Sequence, residues 1–265
     1  MAIVSLSHNI SCQPDTLVLI IGPDRFGSAA IDPFNRYIKE HRYSEHDMYA
    51  PDTFRQYAKD VFTERAEIRK IRVGFLLSDW CWLPTDMLPD EQPHKLLSAH
   101  WPQKPGHTWI SDNTGPAQAT AWVRVPDHLL EQLKSLSATL EFKHAHFFKT
   151  DHQSKYPYQL EILRIGDMGW FSIWEKDRFL YGQPHVIAVT DDLLCTLSLL
   201  VEKFELPVKK LDVRLTGEWE LASDELVALR QRFSNLRSRE SNWRNSTSEH
   251  PSHWFTPLED IFSCE

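Results

Sequence analysis

The sequence predicts an α/β protein of two similar lobes, each built on a β-β-β-α-β unit. Three observations lead to this fold class. Short stretches of alternating apolar and polar residues occur in both halves, one segment of helical spacing interrupts them in each half, and a strand then follows a basic pair. A chain of 265 residues is long enough for about two domains and for a core that needs no disulfide or metal. We place the lobes at residues 1–150 and 151–265.

The first half opens with strands and then changes period. Strands are predicted at Thr16–Gly22, Phe26–Ile31, Phe34–Tyr43 and Ile71–Leu77. Between the last two, an apolar face at helical spacing predicts a helix with Asp52 as its N-cap. That face consists of Phe54, Tyr57, Ala58, Val61 and Phe62.

The rest of the first lobe is predicted as two strands, a helix and a closing strand. The strands lie around Thr108–Ile110 and over Ala117–Val125, and Pro126 opens the helix, a position where proline is well tolerated. The closing strand runs from Leu140 to Phe148. The polar stretch Thr150–Lys155 is the predicted boundary between the lobes.

The second half repeats the order of elements. Strands are predicted at Tyr158–Ile165, Trp170–Trp174, Phe179–Tyr181 and Leu211–Leu215, with a helix over Asp191–Phe204 before the last. Ile71 and Leu211 are in the same phase, each just after a basic pair, at an offset of about 140 residues. This match predicts an internal duplication of a whole lobe.

Composition narrows the class of protein. The chain is 42% hydrophobic and 25% charged, and its net charge of −8 argues against nucleic acid as a partner of the whole protein. The N-terminus lacks a secretory pattern, and no apolar run is long enough to cross a bilayer. Four scattered cysteines without a CxxC spacing predict reduced thiols and a cytoplasmic location. They are Cys12, Cys81, Cys195 and Cys264.

Several short motifs resemble a known family. They are Val73-Gly74-Phe75, Trp82-Leu83-Pro84, Leu211 to Gly217, His253-Trp254-Phe255 with Leu258, and Cys264-Glu265. Together they resemble an uncharacterised Bacteroidetes family, a domain of unknown function with a degenerate actin-like ATPase fold. The resemblance spans nearly the whole chain. It implies an actin-like, ribonuclease H-like architecture for the duplicated β-β-β-α-β lobes.

The same resemblance implies where ATP would bind and why that function is expected to be lost. Actin-like ATPases hold the phosphates between two glycine-containing hairpins, one in each lobe, because backbone N–H groups must approach the phosphate closely. Here the first turn is Gly22-Pro23-Asp24-Arg25-Phe26-Gly27, in which proline removes a donor and phenylalanine adds bulk. The candidate cofactor-binding residues that remain are Gly166, Asp167, Gly169 and Gly217. A simple hairpin turn is the favoured interpretation of the first three, since Gly and Asp are common turn residues, so we expect no cofactor and no catalytic residue.

Other candidate sites are weaker than their structural alternatives. His144 and His146 would share one face of the closing strand, yet no third ligand lies near them in sequence, so no metal is expected. Cys81 and Cys195 are expected to be buried, inert thiols. Five tryptophans in the first lobe exceed what one core readily absorbs and favour a surface for a protein partner. They are Trp80, Trp82, Trp101, Trp109 and Trp122.

Three functions therefore remain open. The leading hypothesis is a non-catalytic protein that acts as a scaffold or adaptor through protein–protein contacts. The first alternative is weak ATP binding or slow hydrolysis in the cleft between the lobes. The second is RNA binding through the basic stretch at residues 230–244, although a solvated helix face explains that stretch as well. Its arginines are Arg230, Arg232, Arg237, Arg239 and Arg244.

Overall fold

The computed structural model describes most of the chain. The described residues are 16–32, 37–45, 52, 54–56, 68–84, 93–112, 119–136, 139–144, 154–220, 222–241, 243–245 and 251–262. Several sequence predictions fall outside them: the start of the third strand, most of the first helix, His146, Cys12, Cys264 and most of the proposed lobe boundary.

The first sheet has six strands. They are β1 (Thr16–Ile21), β2 (Arg25–Asp32), β3 (Tyr37–Glu45), β4 (Lys70–Phe75), β8 (Thr139–Phe142) and β14 (Arg244–Asn245). Their order is β14-β3-β2-β1-β4-β8, with β1 antiparallel to β2 and parallel to β4. Every residue of β1 is buried, as expected for a central strand covered on both faces.

The second sheet has five strands. They are β9 (Tyr158–Ile165), β10 (Met168–Glu175), β11 (Arg178–Val186), β12 (Leu211–Gly217) and β13 (Leu236–Ser238). Their order is β11-β10-β9-β12-β13, with the last three strands parallel. Five strands of the first sheet, β3-β2-β1-β4-β8, have this same order and the same directions. The shared order is what a duplication would produce, and the duplication itself stays a prediction.

A small antiparallel sheet and five α-helices contain most of the other described residues, with a helical stretch at residues 52 and 54–56 and two short 3-10 helices, Val208–Lys210 and Ser252–Trp254. The small sheet, in the order β5-β7-β6, lies between β4 and β8 in the chain. Its strands are β5 (Trp80–Pro84), β6 (His107–Asp112) and β7 (Ala119–Pro126). The helices are α1 (Pro93–His100), α2 (Asp127–Ser135), α3 (Thr190–Lys203), α4 (Asp224–Arg232) and α5 (Thr256–Phe262). None of the described helices is long and apolar enough to cross a membrane.

Helices cover both large sheets, and one of them lies between the two. One face of the second sheet, which includes Leu160 and Ile162 of β9, packs against helices α3 and α4. Its opposite face contributes Leu163 and Ile165 to a core shared with the first sheet, α2 and α5. Helix α5 contacts β1 and β4 of the first sheet and β12 of the second, so it is held by both.

The sequence predictions of single elements were right in most places, but they missed several elements and extended one strand too far. The bounds predicted for Tyr158–Ile165 are confirmed. The third strand is described from Tyr37 onward, and its predicted start lies outside the described residues. The elements that were not predicted at all are β5, α1, β13, β14 and α5. The strand that was to carry His144 ends at Phe142, so this histidine lies beyond it.

Candidate functional site

Two hairpin turns meet at the carboxyl ends of β1 and β9, the edge of an open α/β sheet at which ligands usually bind. The first turn is closed by the N–H of Gly22, which donates to the carbonyl of Arg25 over 2.8 Å. The second turn holds Gly166 and Asp167. The carboxylate of Asp24, on the first turn, accepts a hydrogen bond from the backbone N–H of Asp167 over 3.3 Å. The turns therefore contact each other directly.

A second carboxylate joins the same turns. Glu218 follows the end of β12, and its Oε2 accepts a hydrogen bond from the backbone N–H of Gly166 over 2.7 Å. Its Oε1 lies 3.2 Å from Nη1 of Arg25 on the other turn. Burial raises the pKa of Glu218, and the Gly166 N–H and the Arg25 charge oppose that rise. We call Asp24, Arg25, Gly166, Asp167 and Glu218 the turn junction.

Beside the turn junction lies a cavity of about 380 Å³. The charged residues in its lining are Arg25, Arg164, Asp167, Glu218, Glu220 and Glu225. Both cations are paired, Arg25 with Glu218 and Arg164 with Glu225. Four carboxylates against two guanidinium groups leave the lining acidic, which disfavours a phosphate.

The glycines proposed for nucleotide binding are required by contacts within the protein. Gly166 has a φ of 56°, and a Cβ there would lie 2.3 Å from Oδ2 of Asp24. Gly217 has a φ of 82°, and its Cβ would lie 2.2 Å from the carbonyl oxygen of Arg164. At Gly169 the Cβ would lie 2.7 Å from Cδ1 of Ile187. Close packing of the chain on itself accounts for all three.

The structure thus gathers part of the predicted set. Gly166 and Asp167 lie in the junction, and Gly217 directly precedes its Glu218, whereas Gly169 lies within β10 and is buried. Sequence reasoning missed Asp24 and Glu218 as functional positions. The sequence feature that could have indicated them is an acidic residue in the first turn, and another directly after the glycine that ends β12.

The tryptophans of the first half divide into three environments. Trp80 and Trp122 are buried, at 3% and 8% exposure. Trp82 reaches the second sheet, where its Nε1–H donates to the carbonyl of Gly182 over 3.0 Å. Trp101 and Trp109 are half-buried and line a surface cavity of about 440 Å³. The predicted aromatic surface is therefore reduced to these two rings.

Three of the five arginines in the stretch make contacts within the protein. Arg237 pairs with Asp212 over 2.9 Å, and Arg239 pairs with both Glu161 and Asp260. Burial alone would lower the pKa of Arg239, but the two carboxylates outweigh it and raise the pKa above its usual value. Nη1 of Arg232 donates to the hydroxyl of Ser198 over 2.7 Å. The contacts of Arg237 and Arg239 reach β12, β9 and α5, and the contact of Arg232 joins α4 to α3.

The histidine and cysteine candidates also have defined places. His144 is fully buried, with Nε2 3.3 Å from the carbonyl of Ala121, and burial lowers its pKa to about 4. Within the described part of the chain, no group of three or more His, Cys, Asp or Glu residues could hold a metal ion. Cys81 is buried as expected, and burial raises its pKa to about 12. Cys195 is exposed on α3, so the expectation that it is buried was wrong.

Comparison with solved structures shows the fold of this chain. A Bacteroides thetaiotaomicron protein with an actin-like ATPase fold and unknown function matches 97% of this chain and 99% of its own, at a TM-score of 0.72 and 12% identity. A chain of the PilM–PilN type IV pilus biogenesis complex matches 93% of this chain and 97% of its own, at a TM-score of 0.60 and 12% identity. The chain therefore has an actin-like ATPase fold. No protein-family model matches it, and no curated protein matches its sequence.

Proposed function

We propose that this chain is a non-catalytic protein of actin-like fold that acts in the cytoplasm as a scaffold or adaptor, through contacts with another protein. The observation that carries the proposal is the turn junction. The backbone N–H groups of Gly166 and Asp167 donate to carboxylates of the chain itself, Glu218 and Asp24. In a nucleotide-binding member of this fold, donors of this kind would be directed at phosphate.

The electrostatics of the junction supports the same conclusion. A bound phosphate would have to displace both carboxylates, and it would then lie against a lining that keeps Glu220 and Glu225. Glu218 is 9% exposed, so its charge is poorly screened by water. Two negative groups in one partly buried site repel each other strongly. Nucleotide binding is therefore disfavoured both by charge repulsion and because the two carboxylates occupy the positions that a phosphate would need.

A protein partner is the positive part of the proposal. The PilM–PilN complex is a fold neighbour that contains two proteins, and we carry over to this chain only the use of the fold for partner binding. The half-buried rings of Trp101 and Trp109 support this, since indoles are enriched at the centres of interfaces. The arginine stretch gives little support to RNA binding, because Arg237 and Arg239 already pair with carboxylates.

Calorimetric titration with Mg-ATP up to millimolar concentration tests the non-catalytic part. We expect no binding heat with the wild-type chain. A sharper test compares Glu218→Ala with Glu220→Ala, since both remove one carboxylate from the cavity and only Glu218 occupies the N–H of Gly166. If the carboxylate is what excludes phosphate, pyrophosphate binding will appear in Glu218→Ala alone. Saturable ATP binding by the wild-type chain would establish the cleft alternative instead.

A further inference from the structure

The two ends of the second sheet carry opposite charges. At the carboxyl ends of β9 and β12, the cavity beside the turn junction has an acidic lining. The amino ends of β9, β12 and β13 lie together at the other end because these strands are parallel, and the β10–β11 hairpin joins them there, since Glu175 is opposite Tyr158. The cations at this other end, which we call the basic edge, are Lys155, Lys176, Arg178, Lys209, Lys210 and Arg237.

The carboxylates of the basic edge are fewer, and two of them are already paired. They are Glu175, Asp177, Glu205 and Asp212. Glu175 pairs with Arg178, and Asp212 is shared by Arg237 and the buried Arg214. In a chain with a net charge of −8, this end of the sheet is therefore a local excess of positive charge.

Three exposed lysines account for that excess. The contacts that Lys155, Lys209 and Lys210 make with the described residues involve no carboxylate. Lys155 lies over the ring of Tyr156, and Lys209 and Lys210 use only backbone groups, toward Asn235 and Pro207. Their ammonium groups can therefore pair with an acidic ligand without breaking an ion pair of the protein.

A chain of hydrogen bonds orders the surface between these lysines. The hydroxyl of Tyr156 donates to Oδ1 of Asn235 over 2.7 Å, and Nδ2 of Asn235 donates to the carbonyl of Lys209 over 3.2 Å. Nζ of Lys155 lies 5.2 Å from the centroid of the Tyr156 ring. Two side chains thus link the segments that carry the lysines. A surface that is already ordered loses little conformational freedom when a ligand binds.

Two surface cavities flank Tyr156, with volumes of about 320 and 370 Å³. Ser154, Lys155 and Tyr156 line both of them, and Leu236 adds an apolar side chain to the smaller one. Cavities of this size accept one or a few side chains of a ligand. The basic edge therefore combines positive charge with places where a bound segment can insert side chains.

We propose that the basic edge docks a short acidic segment of a partner protein, with carboxylates beside Lys155, Lys209 and Lys210 and a neighbouring side chain against Tyr156. The proposal rests on the proposed function and gives it a docking surface. Charge complementarity carries the proposal, since three ammonium groups without a carboxylate partner attract acid and repel basic segments. The same charges speed the encounter with an acidic partner at low salt.

An acidic peptide fits this surface better than a nucleic acid. Phosphate recognition favours arginine, whose planar fork binds two phosphate oxygens at once. The fork of Arg237 is already used on Asp212, to which Nε and Nη2 donate over 3.1 and 2.9 Å. Lysines remain, and these bind single carboxylates as point charges. The net charge of −8 also repels a polyanion that extends beyond the basic edge.

Selection of displayed random peptides on the full chain, followed by fluorescence anisotropy with the enriched peptides, tests the proposal. We expect acidic sequences, and their affinity should fall about tenfold in the double variant Lys209→Glu/Lys210→Glu, because two attractions become repulsions. Lys155→Glu should weaken the same peptides. The double variant Lys95→Glu/Lys134→Glu makes an equal change in net charge at exposed positions of α1 and α2, so it should bind as the wild type does.

A charge swap provides the strictest control. Peptides whose acidic residues are replaced by lysine should bind Lys209→Glu/Lys210→Glu better than they bind the wild-type chain. Equal losses in the two double variants, or an enriched set without acidic residues, would overturn the docking surface while leaving the proposed function in place. Binding of polyuridylate that is lost in Lys209→Glu/Lys210→Glu would overturn it in favour of RNA, and self-association that is lost there would do so in favour of a second copy. Failure of the proposed function is read separately, from ATP calorimetry.

Discussion

The carboxylate of Asp24 accepts a hydrogen bond from the backbone N–H of Asp167, 143 residues further along the chain, over 3.3 Å. The contact joins the turn after β1 to the turn after β9, which are the equivalent turns of the two large sheets. Where the two large sheets meet, a side-chain carboxylate of one turn therefore occupies a backbone N–H of the other.

The first prediction concerns Gly166, whose Cβ position overlaps Asp24. Gly166→Ala should lower the free energy of unfolding by about 2 kcal/mol, because φ is positive and the carboxylate must move off Asp167. Gly106→Ala is the matched control: its φ of 71° is also positive, but nothing lies within 4 Å of the added Cβ. Its cost should be about 1 kcal/mol. Urea denaturation measures both.

A double-mutant cycle identifies the cause of the larger loss. In an Asp24→Ala background the overlap disappears, so Gly166→Ala should then cost about as much as the control substitution. Equal costs for Gly166→Ala in both backgrounds would show that the turn junction contributes nothing to the effect.

The second prediction concerns Arg72 on β4, which is 7% exposed. Its Nη1 donates to the carbonyl of Phe262 at the end of α5, its Nε lies 3.1 Å from Glu141, and its guanidinium lies 5.2 Å from the Phe262 ring centroid. Arg72→Met should cost about 2 kcal/mol of stability, because the helix end loses a hydrogen bond from a charged group, whereas Glu141 keeps Nζ of Lys70 at 2.8 Å. Thermal unfolding checks this, with Arg55→Met as the control. Arg55 is exposed, and its ion pair with Asp52 is long, at 4.0 Å. Similar effects of the two substitutions would contradict it.

The third prediction concerns the pH dependence of stability. Burial lowers the pKa of His144 to about 4 from an ordinary value of 6.5. Below pH 6.5 the unfolded chain binds a proton that the folded chain does not bind until about pH 4. The stabilisation is complete above pH 6.5 and falls as the pH drops through this window, by up to about 3 kcal/mol.

His144→Phe keeps a ring beside Trp80, whose centroid is 5.0 Å away, and removes the titrating group. Its unfolding free energy should fall less between pH 6.5 and 4 than that of the wild type. Glu161 and Glu218 have pKa values raised by burial and act in the opposite direction, so the comparison between variants isolates the histidine. Identical slopes in His144→Phe and the wild type would rule out this titration.

The fourth prediction concerns the cysteines. Cys195 is exposed and should react quickly with a maleimide in the native protein. Cys81 is buried, and burial raises its pKa to about 12, so little thiolate exists at neutral pH and the reagent cannot reach it. Peptide mapping by mass spectrometry distinguishes the two sites. Labelling of Cys81 at the rate of Cys195 without denaturant would disagree with the burial described above.

Local patterns were enough to predict most of the fold, and long-range contacts explain what they missed. Alternation of apolar residues located β9, because Leu160 and Ile162 on one face and Leu163 and Ile165 on the other pack into two different cores. The same kind of reasoning misplaced Cys195, since its helix turns that position to solvent although leucines flank it. The turn junction could not be predicted, because Glu218 contacts Gly166 across 52 residues and Arg25 across 193. The resemblance to actin-like ATPases located the two turns, but it did not predict that the carboxylates of Asp24 and Glu218 would accept hydrogen bonds from the second turn.

Helix α5 has a consequence for how the protein is made. It is translated after both large sheets, yet Leu258 and Ile261 belong to the core of the first sheet, and Asp260 pairs with Arg239 beside the second. While the ribosome is still adding this segment, the apolar strand faces that it covers are open to water, and Arg72 lacks the helix end that it binds. A nascent chain in this state exposes aggregation-prone surface until α5 emerges from the ribosome.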